Sequence, residues 1–306
     1  MSDVLKDRVA LVSGGGRGIG LAIAEALAAQ GAKVVIADNG TGIDGMGADP
    51  AVAEAAAKAV GGRAFADSIA SPAAAQAAVD LAVKNFGAID IVVNNAAILR
   101  DGFIFKGDAA NFEAVLRTNL FAAYYLASAA TPHMREQQKA GRSFGRIVNI
   151  TSSAGLYGNF GQSAYAAAKA GLVGLTRVIA MDMARSGVTC NAVAPFAATR
   201  VTDSIRPANE AQASYKERAL KVAPKHVASV VAWLCSDHGA KVTGQLFGVR
   251  GREVFLFGQP RPQQRIADPA RDWDIDSLAA AAAAQFAPHY TDLTTDLEAF
   301  NTDPVV

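Results

Sequence analysis

The stretch RVALVSGGGRGIGLAIAEALAAQGAKVVIAD, residues 8–38, holds two short apolar runs joined by a glycine loop and an alanine-rich segment. RVALVS (8–13) and KVVIAD (33–38) are apolar on both faces, the pattern of strands covered from both sides. Between them GLAIAEALAAQGA has helical period, so the stretch predicts strand, turn, helix and a second strand. The unit then recurs. RAFADS (63–68), IDIVVNN (89–95), GRIVNITS (145–152), VTCNAVAP (188–195) and GQLFGV (244–249) are further apolar runs separated by helix-like segments. Strict alternation with right-handed crossovers predicts an α/β fold: a doubly wound, Rossmann-like sheet of seven parallel strands with helices on both faces. After residue 258 the texture changes to the polar, proline-bearing GQPRPQQRIADPARDW and then DSLAAAAAAQFAPHY, a helix with Asp276 or Ser277 as its cap and Pro288 near its end. Residues 1–258 are thus expected to form the main domain. Residues 259–306, with too few large apolar side chains for a core of their own, are expected as an extension packed on it.

The first strand runs into SGGGRGIG, residues 13–20, where G-x-G-x-x-G does not fit and Gly14, Gly18 and Gly20 give G-x-x-x-G-x-G. Glycines at a strand-to-helix turn let backbone N–H groups approach a phosphate, and the helix N-terminus adds partial positive charge. A merely flexible turn is the competing reading. Asp38 closes the second strand, where a carboxylate accepts hydrogen bonds from both hydroxyls of an adenosine ribose and repels a 2′-phosphate; an aspartate opening an ordinary DNG turn is the alternative. Asp38 therefore favours NAD over NADP, with Arg17 beside it as the one feature that tolerates the extra phosphate.

Bulk properties exclude several classes. A formal net charge of +1 gives no reason to expect nucleic acid or an anionic membrane surface as partner. The N-terminal MSDVLKDR is not secretory, and no uninterrupted apolar run reaches the length of a membrane span. Two cysteines, Cys190 and Cys235, lie in apolar stretches and read as buried thiols. Four histidines without metal-ligand spacing give no metal site. A cytoplasmic protein is the expectation.

In SAYAAAKAGL (163–172) a tyrosine and a lysine stand one helical turn apart among alanines and glycines. As an isolated pair they read as a solvated surface, since i and i+4 adjoin on any helix. Together with SGGGRGIG, Asp38, Asp67, NNAA (94–97), Asn119 and Ser152, however, the chain resembles the short-chain dehydrogenase/reductase family over residues 6–250. Within it, VVNNAAILRD and LYGNFGQSAYAAAKAGLVGL resemble the (3R)-hydroxyacyl-CoA dehydrogenases, as does the long stretch after the last strand; GN-x-GQ also occurs in β-ketoacyl-carrier-protein reductases.

The resemblance implies that Tyr165 exchanges the proton of a secondary alcohol as hydride passes to or from a nicotinamide. A Lys169 ammonium would lower the phenol's value, normally ~10. It implies that Ser152 holds the substrate oxygen and that Asn119 anchors a water serving Lys169, although a structural purpose for an asparagine inside a helix is equally open. Cofactor contacts are then expected from Gly14, Arg17, Gly18, Ile19, Gly20, Asp38, Asp67, Ser68, Asn94, Ala96, Tyr165, Lys169, Pro195 and Thr199. Tyr157, Phe160 and Phe196 are candidates for an apolar substrate wall, with core filling as the alternative. Four departures from the family pattern stand out: Ser13 for threonine, Ala97 for glycine, Phe196 for glycine, and Thr199 four residues after Pro195 instead of five. The implied activity is NAD-dependent interconversion of a secondary alcohol and a ketone, foremost a (3R)-3-hydroxyacyl-CoA. Alternatives are a steroid or other lipophilic alcohol, or a dinucleotide sensor without chemistry. A homodimer or homotetramer paired through helices around 111–130 and 163–185 is likewise implied.

Overall fold

A computed structural model of the chain describes residues 3–197, 210–300 and 302–306. Thr199, one expected cofactor contact, lies outside them. Two compact units are formed, one by Met1–Phe257 with Thr295–Val306, the other by Gly258–Thr294.

The first unit contains a sheet ordered β3-β2-β1-β4-β5-β6-β7-β8. Its strands are β1 (Val9–Ser13), β2 (Lys33–Ala37), β3 (Arg63–Phe65), β4 (Ile91–Asn94), β5 (Gly145–Ile150), β6 (Val188–Phe196), β7 (Leu246–Arg250) and β8 (Glu253–Phe257). The first seven are the expected ones, and all pair parallel. The eighth corrects the expected count. It returns antiparallel from β7, turning through Gly251 at φ 60°. Its EVFLF alternates half-buried Glu253, Phe255 and Phe257 with exposed Val254 and Leu256, the pattern of an edge strand covered on one face. Such a strand lacks the two-faced apolar run that marks the central strands of the sheet.

Alternation within β1 shows why both faces need cover. Ala10 and Val12 enter one core with Ile23, Ala24 and Leu27 of α1 (Gly18–Ala29), Ala53 and Ala56 of α2 (Pro50–Ala59), and Val227, Val231 and Leu234 of the helix Lys225–Cys235. Val9 and Leu11 enter the other, with Ala75, Ala78 and Val79 of α3 (Pro72–Phe86) and Leu126 and Met134 of α5 (Ala122–Lys139). Each large aliphatic side chain so buried contributes about 1.5–3 kcal/mol. Strand order reverses between β1 and β4, so connections leave to opposite sides there and open a crevice beyond the carboxyl ends of the strands.

α7 (Ser163–Asp182) is long and apolar enough to cross a membrane by length and composition alone, although Lys169 and Arg177 interrupt its apolar run. Its Ala168, Leu172, Thr176 and Ile179 are buried, and it packs on β5 and β6 as a core helix. Close approach depends on glycine: a Cβ on Gly171 would sit 2.8 Å from Leu120 Cδ2, and one on Gly155 2.7 Å from the α7 backbone at Ala170.

In the second unit the helix Ile275–Gln285 buries none of its residues. Its cap is Asp274, not Asp276 or Ser277. Asp274 Oδ1 accepts from Ser277 N–H at 2.7 Å and Ser277 Oγ accepts from Asp274 N–H at 3.1 Å, a reciprocal capping box.

Candidate active site

A cavity of about 850 Å³ opens beyond the carboxyl ends of β1, β4, β5 and β6, and the expected residues are spread along it. At one end lies the glycine loop. Gly14 and Gly18 have φ 61° and 56°, and the N-terminus of α1 receives no side-chain cap. Bulk is excluded within the loop, where a Cβ on Gly20 would meet Gly14 O at 2.1 Å and one on Gly14 the Ala96 Cα at 2.8 Å. At Gly18 a Cβ would meet nothing within 4 Å. The turn is therefore packed on its inner side and open toward the cavity, as a phosphate cradle must be.

Asp38 stands at the end of β2 with its carboxylate held from two sides: Oδ2 accepts from Gly16 N–H at 2.9 Å and Oδ1 from Gly40 N–H at 2.8 Å. Each oxygen keeps a second lone pair. Arg17 donates through Nη2 to Thr41 O at 2.8 Å, while its buried Nε has no partner, an orphaned donor on the cavity wall. The uncapped helix end, open glycine, anchored carboxylate and orphaned guanidinium nitrogen together fit a dinucleotide. Ile19, Asp67, Ser68, Ala96 and Pro195 also line the cavity.

Ser13 keeps the function of a hydroxyl at the first strand's end. Its Oγ donates to Val93 O at 3.2 Å and accepts from Asn95 N–H at 3.0 Å and Ala96 N–H at 3.2 Å, tying β1 to β4. Asn95, which the sequence reading passed over, lines the cavity and donates to Ser13 O and Gly14 O. Asn94 is turned into the core, where its amide donates to Asn149 Oδ1 at 2.8 Å, and it does not reach the cavity. The doubled NN was the available signal, and strand alternation shows why only one of two neighbours can face the crevice.

At the other end α7 presents Tyr165 and Lys169 on one face, with Ser152 just past β5; all three line the cavity. Lys169 is 2% exposed and donates from Nζ to Ile150 O at 2.7 Å. Its Nζ lies 5.6 Å from the centroid of the Tyr165 ring. Burial lowers the Lys169 ammonium to about 7. Burial also pushes the Tyr165 phenol up to about 12, a hydrogen bond with Ser152 pulls it back, and the Asp101 and Asp296 carboxylates push it further up. The expected lowering of the phenol by lysine is not what the protein alone produces: loss of hydration dominates and keeps the phenol neutral.

Asn119 occupies the π-helical segment Arg117–Phe121 between α4 (Ala109–Leu116) and α5. Its Oδ1 accepts from Ile98 N–H at 2.8 Å and its Nδ2 donates to Ile98 O at 2.9 Å, so it clamps the segment leaving β4 and does not line the cavity. Phe160 and Phe196 line the cavity, the first exposed and the second buried. Tyr157 stands outside it, edge-on to Phe300 at 6.1 Å. Asp101 and Gln162, which close the VVNNAAILRD and GN-x-GQ motifs and are joined at 2.9 Å, complete the wall near Tyr165 with Tyr215 and Asp296, which no sequence signal marked. No group of metal-ligating side chains occurs among the described residues.

Comparison with known proteins gives a consistent setting. The family model described as enoyl-(acyl carrier protein) reductase matches residues 14–251. Hydroxyacyl-CoA dehydrogenase ChsB1 of Mycobacterium tuberculosis is 37% identical over 96% of this chain and 94% of its own. Peroxisomal multifunctional enzyme type 2 of Mus musculus is 38% identical over 79% of this chain, which spans 31% of that longer protein. A solved structure of a short chain dehydrogenase from Mycobacterium avium superposes with a TM-score of 0.80 at 36% identity, covering 95% of this chain and 99% of that one.

Proposed function

Since the chain belongs to the short-chain dehydrogenase/reductase family, whose members are oxidoreductases acting on CH–OH groups with nicotinamide cofactors, we propose that it is an NAD-dependent dehydrogenase of (3R)-3-hydroxyacyl-CoA thioesters. The observation that carries this reading is the placing of Ser152, Tyr165 and Lys169 in one cavity with the glycine loop and Asp38. A dinucleotide sensor would need only the second pair. An oxidised nicotinamide, when bound, accepts hydride and brings positive charge into the cavity. Gly14, Gly18, Ile19 and the first turn of α1 would hold its pyrophosphate, Asp38 the adenosine ribose, and Asp67 and Ser68 the adenine. Ser152 would hold the carbinol oxygen against Tyr165, which takes its proton in oxidation and returns it in reduction. The neutral phenol imposed by burial suits the reductive direction at rest. Lys169, fixed by Ile150, would support the charged phenolate in the oxidative one. An acyl-CoA substrate is favoured by the ChsB1 and multifunctional-enzyme relatives and by the exposed aromatic Phe160 on the wall near Tyr165. A panel of (3R)-3-hydroxyacyl-CoA esters and steroid alcohols, followed by NADH absorbance, tests it; turnover of the steroids alone would overturn the substrate assignment.

Asp38→Ala removes the anchored carboxylate and leaves Arg17 in place. The ratio of kcat/KM for NAD to that for NADP is expected to fall by ~10–100-fold, the worth of a hydrogen bond to a charged group. An unchanged ratio would contradict the ribose assignment. We also propose a homodimer or homotetramer, supported by the exposed Phe121, Tyr124, Val178 and Met181 on the helical segments around α5 and α7. Sedimentation should give two or four chain masses, and a monomer would refute it.

A further inference from the structure

The last segment of the chain reaches into the cavity. Asp296, 5% exposed, lines it together with Tyr165 and Ser152. Its Oδ2 accepts a 2.5 Å hydrogen bond from Ser153 Oγ, 143 residues away, and it also shares a hydrogen bond with Tyr215. Ser153 is itself 6% exposed, so this contact lies inside the protein and not at a rim.

The residues after Asp296 hold it there. Phe300 packs on Phe196 at 4.6 Å and Phe255 at 5.3 Å between ring centroids. Arg250 Nη1 donates to Phe300 O and Thr302 O at 3.0 Å each, and Nη2 to Thr302 Oγ1 at 2.9 Å. Arg252 N–H donates to Val305 O at 2.7 Å. These contacts fix one buried carboxylate against Ser153, the neighbour of Ser152.

On the reading of Ser152 and Tyr165 given above, we propose that Asp296 is a positioning residue for the reaction: it binds the Ser153 hydroxyl and so leaves Ser152 alone to face Tyr165. Two neighbouring hydroxyls would otherwise compete for the same phenol and the same substrate oxygen. With Ser153 committed as a donor to a carboxylate, a charge-assisted bond, the strand end after β5 keeps one orientation. Asp296 also faces Tyr165 electrostatically. The charged and titratable groups around that phenol are Lys169 on its own helix, Asp101 on the loop after β4, Asp296 from the C-terminal segment, and Tyr215 of the helix Glu210–Leu220, which is hydrogen-bonded to Asp296.

The test is a cycle of Asp296→Asn, Ser153→Ala and the double variant in the full-length chain, assayed with NAD and the ester that wild type turns over best. Asp296→Asn should lower kcat by ~10-fold with the NAD dissociation constant unchanged, and the double variant should be no worse than the worse single one. With one carboxylate fewer near Tyr165, the rising limb of the oxidative kcat/KM against pH should move to lower pH. A merely structural role would not move that limb. Additive losses, loss of NAD affinity in step with kcat, an unmoved pH limb or an unchanged kcat would each overturn the assignment. Failure of wild type on every secondary alcohol would instead sink the dehydrogenase reading on which it rests.

Discussion

Tyr165→Phe is expected to lower turnover by ~10²–10⁴-fold, the usual share of a positioned general acid–base group, while dinucleotide affinity and melting temperature stay close to wild type. The substitution removes one oxygen atom and keeps the ring, so packing on the cavity wall persists. What is lost is the group proposed to exchange a proton with the carbinol oxygen, together with its hydrogen bond to Ser152. Loss of that bond costs stability only about 1 kcal/mol. Single-turnover absorbance of NADH with saturating ester separates this step from product release. Full activity in the phenylalanine variant would show that another group moves the proton.

Lys169→Met should separate stability from activity in the opposite sense. Turnover is expected to fall ~10²-fold or more, since the cation proposed to support the phenolate is gone. Stability at pH 7 should rise. Burial lowers the ammonium to about 7, and replacing buried ionic groups by well-packed apolar side chains of similar volume is commonly neutral or stabilising by about 1–4 kcal/mol. Ile150 O would lose its donor, which offsets about 1 kcal/mol. A gain of about 1 kcal/mol raises Tm by roughly 2–4 °C. The sign of the pH dependence follows from linkage. Between about 7 and the ordinary 10.5, the unfolded wild type binds more protons than the folded one, so wild-type stability rises with pH through that window. The methionine variant lacks this titration, and its advantage should shrink as pH climbs from 7 toward 10.5. A lower Tm at pH 7, or an advantage independent of pH, would contradict the buried-ammonium account.

Local pattern made much of this fold legible. The central strands announced themselves because a strand buried on both faces is a continuous apolar run, as VALVS and IVVN are. β8 escaped because its cover is one-sided. The glycine loop was legible because its geometry excludes side chains, at Gly20 most severely. Tyr165 and Lys169 stood out as long polar side chains in a helix of small ones. Choosing between Asn94 and Asn95 needed strand register, which depends on pairing with β1 and β5. Asp296 was beyond reach, because its meaning comes from a contact across 143 positions that no local pattern encodes. The phenol's raised value was hidden for a related reason: spacing reveals a neighbouring lysine but says nothing of how dry the site is.

All of the proposed chemistry requires the Tyr165 hydroxyl and the Ser152 hydroxyl to share one substrate oxygen. A crystal structure of the complex with NAD and a (3R)-3-hydroxyacyl-CoA measures this geometry. The carbinol oxygen is expected within ~2.6–3.2 Å of both Tyr165 Oη and Ser152 Oγ. A carbinol bound elsewhere in the cavity, with Tyr165 beyond hydrogen-bond reach, would contradict it.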